Sequence, residues 1–187
     1  MENPPARLIL ASASPRRAAL LREAGLDFEI RPSQAGEPPF AGGDVAEYVE
    51  SLARRKAASV PGDLVLGADT VVALDGEVLG KPADLDEAAA MLRRLSGRRH
   101  QVLTGVALRD GMAIRWGHAR SEVTFRTLEP AEILRYVATG EPMDKAGAYA
   151  IQGGAAAFVE GVVGDRDTVI GLPMALVRRL LAVSHPV

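Results

Sequence analysis

Residues 7–17 read Arg-Leu-Ile-Leu-Ala-Ser-Ala-Ser-Pro-Arg-Arg, and this stretch sets the expectation for the fold. An apolar run typical of a β-strand ends in two hydroxyl residues and passes directly into the apolar repeat of a helix. Ser14 is expected to be the N-cap and Pro15 the first helical residue, because proline lacks only an N–H that has no partner there. Strand-like and helix-like segments alternate in this way along the rest of the chain, which indicates an α/β or α+β protein.

The same turn places two cations where a helix disfavours them. Arg16 and Arg17 lie in the first helical turn, where positive charge opposes the helix dipole. Free backbone N–H groups, serine hydroxyls and two guanidinium groups together describe a phosphate site. The alternative is a surface helix whose arginines are solvated, and local chemistry alone does not separate the two.

Composition limits the class of protein. The 187 residues suit a single domain, 1–187, or two lobes that share one core. A net charge of −2 gives no reason to expect a nucleic-acid or membrane partner, so any anion site must be local. The absence of cysteine excludes disulfides, thiolate catalysis and cysteine-ligated zinc. His100, His118 and His185 show no ligand-like spacing.

The N-terminal residues show no charged segment followed by an apolar one, as a secretory signal would. No apolar stretch approaches the roughly 20 residues of a membrane span. We therefore expect a cytoplasmic protein.

Hydrophobic periodicity predicts the main elements. Helices are expected over 44–60, 84–96, 129–138 and 172–183, and strands over 64–74, 77–79, 101–108 and 113–125. The first of these helices begins with Asp44-Val45-Ala46-Glu47, a capping-box pattern. Asp75-Gly76 and Asp110-Gly111 are expected to be hairpin turns. Two Gly-rich connections, 31–43 and 145–164, carry no predicted element. Long hairpins combined with helices indicate a large mixed sheet.

Lys56 continues the apolar stripe formed by Val45, Val49 and Leu52. A lysine at that position either extends past the core into solvent or points its ammonium group into a cleft. Both alternatives stay open at this stage.

Asp69 follows Gly67-Ala68 at an apparent break in an apolar strand, and an acid there is costly unless it has a partner. It is either a base or metal ligand at the sheet end, or a turn residue that caps local N–H groups. The hairpin register pairs Leu74 with Glu77 and Thr70 with Lys81, which brings Lys81 to the same strand end. In ideal pleating Asp69 would face away from Lys81, unless the bend at Gly80 breaks the alternation.

Residues 144–154 are small except around Tyr149 and Gln152, so a backbone can approach a ligand closely there. Gln152 offers both a donor and an acceptor, which suits the edge of a base. A tight crossing of elements would explain the small residues equally well. The chain contains neither a Walker-type phosphate loop nor a G-x-G-x-x-G motif.

Taken together, these segments resemble the Maf family of nucleotide pyrophosphatases. The matching segments appear in family order between residues 7 and 180: 12–17 (SASPRR), 67–70 (GADT), 80–82 (GKP), 91–97 (MLRRLSG), 141–149 (EPMDKAGAY), 151–153 (IQG) and 171–173 (GLP). The resemblance implies an α/β structure in which helices flank a long mixed β-sheet, with two lobes and an active-site cleft (a Maf/ITPase-like fold).

The resemblance also implies an activity, which is hydrolysis of a nucleoside triphosphate between the α- and β-phosphates with a divalent cation, Mg²⁺ or Mn²⁺. By position, Asp69 matches the family's proton acceptor. The residues that match its phosphate-side positions are Ser12, Ser14, Arg16, Arg17, Lys56 and Lys81. Arg16, Thr70 and Gln152 match positions that mark the branch acting on dTTP and UTP, whereas the branch acting on 7-methyl-GTP differs there.

One departure concerns the metal. The family usually places two consecutive acids in the loop after the first helix, but here Gly36 precedes Glu37, so one acid remains. Glu37 and Asp69 are expected to hold the cation, since Mg²⁺ takes one or two carboxylates and completes its shell with phosphate oxygens and water. Asp69 has two open roles, a base for the attacking water or chiefly a metal ligand.

Lys81, Arg16 and Arg17 are expected to stabilise charge on the departing pyrophosphate, and Lys81 is counted with Asp69 as catalytic. Three alternatives remain: a 7-methyl-GTP enzyme, a broad-specificity pyrophosphatase, and a non-catalytic nucleotide-binding regulator of cell division. A homodimer is plausible.

Overall fold

The computed structural model describes residues 7–184, in which seven strands and six α-helices are joined by loops and short 3-10 turns. The strands are β1 (Leu8–Leu10), β2 (Phe28–Ile30), β3 (Leu64–Leu74), β4 (Glu77–Leu79), β5 (Arg99–Asp110), β6 (Ala113–Phe125) and β7 (Val159–Val163). The helices are α1 (Pro15–Glu23), α2 (Val45–Ser59), α3 (Leu85–Leu95), α4 (Pro130–Val137), α5 (Arg166–Ile170) and α6 (Met174–Ser184). His185 lies outside the described residues.

All seven of these strands belong to one mixed sheet. Its order is β2-β1-β3-β5-β6-β7, and β4 pairs with β3 away from this path. Strand β1 runs parallel to both β2 and β3, whereas β4 and β7 pair antiparallel with β3 and β6. The expected class, an α/β protein with a mixed sheet and flanking helices, is confirmed.

The described residues cluster into two compact units. The first comprises 7–69, 104–119 and 171–184, and the second comprises 70–103 and 120–170. Strands β3, β5 and β6 each contribute residues to both units. The expectation of a single domain with two lobes stays a prediction.

In the first unit, helix α2 lies against the sheet where the strands carry glycine. A Cβ atom on Gly67 of β3 would lie 2.5 Å from the Ala57 nitrogen of α2. A Cβ on Gly105 of β5 would likewise lie 2.5 Å from the Val49 carbonyl oxygen. Any side chain at either position would push α2 away from the sheet, so these glycines set the position of the helix that carries Lys56.

In the second unit, aromatic rings form the centre of the core. Phe125 packs edge-on against Tyr149 with ring centroids 4.8 Å apart, and against His100 at 5.0 Å. Phe158 extends the cluster to Tyr136 at 5.2 Å. Such tilted pairs are the preferred geometry of aromatic rings. The cluster lies under the segment 145–154, whose Tyr149 and Ile151 are buried.

Several local predictions are confirmed. Ser14 caps α1 by accepting a hydrogen bond from the Arg17 N–H at 3.4 Å, with Pro15 as the first helical residue. The Asp75-Gly76 turn has positive φ at both residues, and Leu74 pairs with Glu77. Asp44 caps α2, although its side chain accepts from the Ala46 N–H and not from the Glu47 N–H of a capping box.

Other predictions are wrong in part. The β3–β4 ladder ends at the Val72–Leu79 pair, so the predicted pairing of Thr70 with Lys81 is not part of it. The Gly80 carbonyl accepts instead from the Gly147 N–H at 3.0 Å. The second hairpin turns at Gly111-Met112, one residue later than expected.

Three elements were not predicted. Strand β2 has three residues and helix α5 has five, and both are too short for a periodicity signal. Strand β7 lies within the segment 145–164 that was read as irregular. None of the helices in the described part of the chain is long and apolar enough to cross a membrane.

Candidate active site

The turn between β1 and α1 is held by its own hydroxyl groups. The Ser12 hydroxyl is buried and accepts hydrogen bonds from the Ser14 N–H at 3.2 Å and from Arg17 Nη1 at 3.1 Å. Arg17 Nε donates to the Gly171 carbonyl at 2.8 Å. The two serines and Arg17 therefore form one network, and the turn is fixed before any ligand binds.

Arg17 carries its charge in a partly buried place. Burial lowers the pKa of Arg17, and the negative charges of Asp69 and Glu37 oppose that shift, whereas the nearby positive charge of Arg16 adds to it. A guanidinium that has lost solvent gains more from an anion than an exposed one does. Arg16 lies beside it and is half-buried.

Lys56 links two carboxylates. Its Nζ lies 2.7 Å from Glu37 Oε1 and 2.8 Å from Asp69 Oδ2. The Lys56 and Asp69 side chains are 13% and 12% exposed, and that of Glu37 is 41% exposed. Of the two alternatives for Lys56, the structure has the inward one, with its ammonium group in the site.

Asp69 lies inside a continuous strand and not at a break. Strand β3 runs unbroken through 11 residues, and Asp69 is buried. The small residues before it, Gly67 and Ala68, do not form a turn. Gly67 is required because α2 approaches the strand there, and that same approach brings Lys56 to Asp69.

The irregular loop 31–43 is held against α2. The Tyr48 hydroxyl donates to the Pro38 carbonyl at 2.8 Å, and Arg55 Nε donates to the Gly36 carbonyl at 3.3 Å. These bonds lie on either side of Glu37. Burial raises the pKa of Tyr48, and the charges of Asp69 and Glu37 raise it further, so Tyr48 lies within electrostatic reach of the site. Tyr48 could not be singled out from the sequence, because a tyrosine on an amphipathic helix resembles any core residue.

The carboxylates near Lys56 can be compared with the ligands that a divalent cation requires. Among residues 7–184, no group of three or more histidine or acidic side chains is placed to hold a metal ion. Glu37 and Asp69, joined through Lys56, supply two carboxylates. Mg²⁺ accepts this number when phosphate oxygens and water complete its shell, so the residues fit the cation together with a phosphate ligand.

The second unit carries the other three candidates. Gln152 is exposed in a turn that the Gly153 N–H closes by donating to the Ala150 carbonyl at 3.0 Å. Thr70 is half-buried in β3, and Lys81 is exposed beyond the end of β4. Tyr136 and Glu141 contact the Gln152 turn. Glu141 belongs to the family-like segment 141–149, but the sequence indicated no role for it or for Tyr136.

Comparison with known proteins gives consistent matches along the chain. The Maf-like protein family matches residues 7–184. A dTTP/UTP pyrophosphatase of Pelotomaculum thermopropionicum is 53% identical over a 180-residue alignment that covers 93% of this chain and 94% of the relative. Proteins of the same name from Anaeromyxobacter dehalogenans and Bacillus pumilus are 54% and 49% identical, each over 94% of this chain and over 92% and 95% of their own lengths.

The ordered motifs, the mixed sheet and these matches over more than nine tenths of the chain all indicate one family. The chain belongs to the Maf-like protein family.

Proposed function

We propose that this protein hydrolyses nucleoside triphosphates, with dTTP and UTP as preferred substrates, to the monophosphate and pyrophosphate. The observation that carries the proposal is the Lys56 ammonium held between Asp69 and Glu37, in the same unit as the Ser14–Arg17 turn. Relatives that are about half identical over nearly the whole chain are named dTTP/UTP pyrophosphatase.

In this proposal Asp69 accepts a proton from the attacking water. Lys56 forms an ion pair with Asp69 Oδ2 that holds the carboxylate in place. The bond that breaks joins the α-phosphorus to the oxygen that bridges to the β-phosphate, and the electron pair leaves with pyrophosphate. Arg16, Arg17 and Lys81 stabilise the negative charge that gathers there, a term that usually dominates phosphoryl transfer.

Glu37 and Asp69 would hold the divalent cation, Mg²⁺ or Mn²⁺, with phosphate oxygens of the substrate. When bound, the cation supplies charge neutralisation of the triphosphate. Lys56 then balances part of the negative charge of the two carboxylates.

Thr70, Gln152 and Arg16 are assigned to the choice of base. The exposed Gln152 amide presents both a donor and an acceptor, which the N3–H and O4 of a thymine or uracil edge can satisfy. A nucleotide substrate is consistent with the cytoplasmic location expected from the sequence. The homodimer stays a prediction.

Pyrophosphate release from a nucleotide panel tests the proposal. The panel contains dTTP, UTP, 5-methyl-UTP, CTP, ATP, GTP and 7-methyl-GTP, each with Mg²⁺, with Mn²⁺ and with a chelator. We expect release from dTTP and UTP that depends on the cation. Preference for 7-methyl-GTP, or similar rates on all nucleotides, would contradict the pyrimidine assignment. Nucleotide binding without release would identify a non-catalytic regulator.

A further inference from the structure

The turn that carries Gln152 is held at both ends by two side chains with no assigned role. The Ala150 N–H donates to the Tyr136 hydroxyl at 3.1 Å, and that hydroxyl donates to Glu141 Oε1 at 3.0 Å. The Gly154 N–H donates to both oxygens of the Glu141 carboxylate, at 3.2 Å and 3.1 Å. A single chain of hydrogen bonds therefore runs from one end of the turn to the other.

The two glycines after Gln152 are explained by the same carboxylate. A Cβ atom on Gly153 would overlap the Glu141 carboxyl group, and one on Gly154 would lie 3.1 Å from the Tyr136 ring. A side chain at Gly153 would therefore displace the Glu141 carboxylate from its present hydrogen bonds, and one at Gly154 would crowd the Tyr136 ring. The two glycines and the Glu141 carboxylate are therefore parts of the same contact.

The anchors themselves are firmly placed. Tyr136 is 6% exposed on α4 and packs against Phe158, and burial raises its pKa, so the hydroxyl keeps its proton and remains a donor. Glu141 begins the 3-10 turn Glu141–Asp144, and its own carbonyl accepts from Lys145 Nζ at 3.2 Å. Hydrogen bonds to a carboxylate are stronger than neutral ones.

The two side chains inside the turn lie in different environments, one in the core and one in solvent. Ile151 is 5% exposed and belongs to the core, whereas Gln152 is exposed. With Ile151 buried and both ends of the turn bonded, the backbone of Gln152 has little freedom. The Cα–Cβ bond of Gln152 therefore leaves the backbone in a fixed direction, which limits where its amide can reach a base edge.

We propose that Glu141 and Tyr136 are positioning residues that fix the Gln152 turn and thereby set the discrimination among bases. This inference rests on the proposed function and extends it to residues that would not touch the nucleotide. The proposal distinguishes base recognition from catalysis. A loosened turn should weaken recognition of the base, whereas the chemistry at Lys56 and Asp69 should stay intact.

The test compares Glu141→Gln and Tyr136→Phe with Gln152→Ala. Glu141→Gln replaces one carboxylate oxygen by an amide NH2 group, and Tyr136→Phe removes the hydroxyl that bonds Ala150 and Glu141, while both keep nearly the shape of the side chain. We expect the ratio of kcat/KM for dTTP over GTP to fall about 10-fold in all three, through KM for dTTP, with kcat nearly unchanged. The double variant Glu141→Gln/Gln152→Ala should lose no more discrimination than Gln152→Ala alone.

Glu132→Gln is the matched control. Glu132 lies on α4 like Tyr136. Its side chain forms an ion pair with Arg126 and accepts from the Glu129 N–H, and neither partner belongs to the turn 150–154. It should lower the melting temperature without changing the dTTP-to-GTP ratio. Amide hydrogen exchange supplies a second readout that needs no turnover. Exchange at 151–154 should accelerate in Glu141→Gln and in Tyr136→Phe but not in the control.

An unchanged ratio, or equal losses on both nucleotides, would overturn the inference, and so would additive losses in the double variant. Absence of dTTP and UTP hydrolysis by the wild-type protein would instead overturn the proposed function. In that event the exchange data would still show whether Glu141 and Tyr136 hold the turn.

Discussion

Lys56 shares one ammonium group between Asp69 and Glu37, and this is the most informative contact at the scale of single residues. A mostly buried charge is costly unless it is paired, so Asp69 and Lys56 depend on one another. Lys56 also moderates the repulsion between the two carboxylates, and in the proposed function a cation bound with the substrate would balance the remaining charge.

Replacing Asp69 by asparagine should remove most of the turnover and leave nucleotide binding largely intact. The amide keeps the shape of the carboxylate but cannot accept the proton of water. We expect kcat to fall by roughly 10²–10⁴, as for loss of a general base, with the Kd for dTTP changed only severalfold. Single-turnover pyrophosphate release and calorimetric titration measure the two quantities.

Asp63→Asn is the control, because Asp63 is exposed just before the same strand and should have no effect on turnover. Unchanged turnover in Asp69→Asn would remove Asp69 from the mechanism.

His100 should make stability depend on pH. Burial lowers the pKa of His100 from 6.5 to about 4, against a smaller opposing effect of a hydrogen bond to the Arg98 backbone. Between these values the unfolded chain binds a proton that the folded chain does not. Stability is therefore lost as the pH falls from 6.5 to about 4, and His100 contributes no further loss below that. The loss is at most about 3 kcal/mol.

Urea unfolding at a series of pH values measures this loss. His100→Gln, which retains a donor for the Tyr149 hydroxyl, should show a shallower decline over the same range. Equal declines for the two proteins would show that His100 is not the group responsible.

At the scale of elements, helix α2 organises the site. Arg55 and Lys56 follow Tyr48 by seven and eight residues, which is two helical turns, so all three lie along one face of the helix. All three contact the loop 31–43, at Pro38, Gly36 and Glu37. The other side of α2 packs on the sheet, where Gly67 and Gly105 leave room for the helix to approach. The two glycines therefore set the position of α2, and α2 sets the position of the loop.

Tyr48→Phe should loosen the loop that carries Glu37. The change removes the hydrogen bond to the Pro38 carbonyl and retains the ring contact with Phe40. We expect a loss of about 1 kcal/mol of stability, faster protease cleavage within 33–43 and weaker binding of Mn²⁺ in the presence of a non-hydrolysable nucleotide. Limited proteolysis and electron paramagnetic resonance of the free ion measure these effects.

Ser51→Ala is the control on the same helix, because the Ser51 hydroxyl bonds only within α2, to the Tyr48 carbonyl at 2.7 Å. Cleavage rates and metal binding that are the same in both variants would contradict a role for Tyr48 in holding the loop.

At the scale of the whole molecule, the N-terminal and C-terminal parts of the chain meet at Arg17. Its Nε donates to the Gly171 carbonyl, 154 residues away in sequence, just before α6. The same guanidinium holds Ser12. Arg17 thus joins the β1–α1 turn to the C-terminal segment of its unit, whereas the Arg16 guanidinium makes no such bond to the rest of residues 7–184.

Arg17→Lys should lower both stability and turnover, because lysine has no Nε donor and cannot serve two acceptors in this geometry. We expect a loss of about 1–2 kcal/mol in the free energy of unfolding. Arg16→Lys is the paired control and should keep the stability while changing the relative rates on dTTP and GTP. Thermal unfolding and the nucleotide panel measure both variants. Equal stability of the two variants would show that the Arg17–Gly171 bond contributes little.

The sequence by itself determined much of the local structure and the family. Ser14, Pro15, Asp75 and Gly76 act through backbone preferences and neighbours within a few residues, so their roles can be read from order alone. Ordered motifs also indicated the family correctly.

Only the tertiary structure decided where Lys56 points, that Asp69 lies within an unbroken strand, and that Glu141 and Tyr136 hold the Gln152 turn. The physical reason is the range of the interactions. Lys56 meets an acid 13 residues away because α2 packs against β3, and Gly153 is small because a carboxylate 12 residues earlier occupies the space of its side chain. Periodicity describes how a residue suits its own element, whereas such contacts depend on how elements pack together.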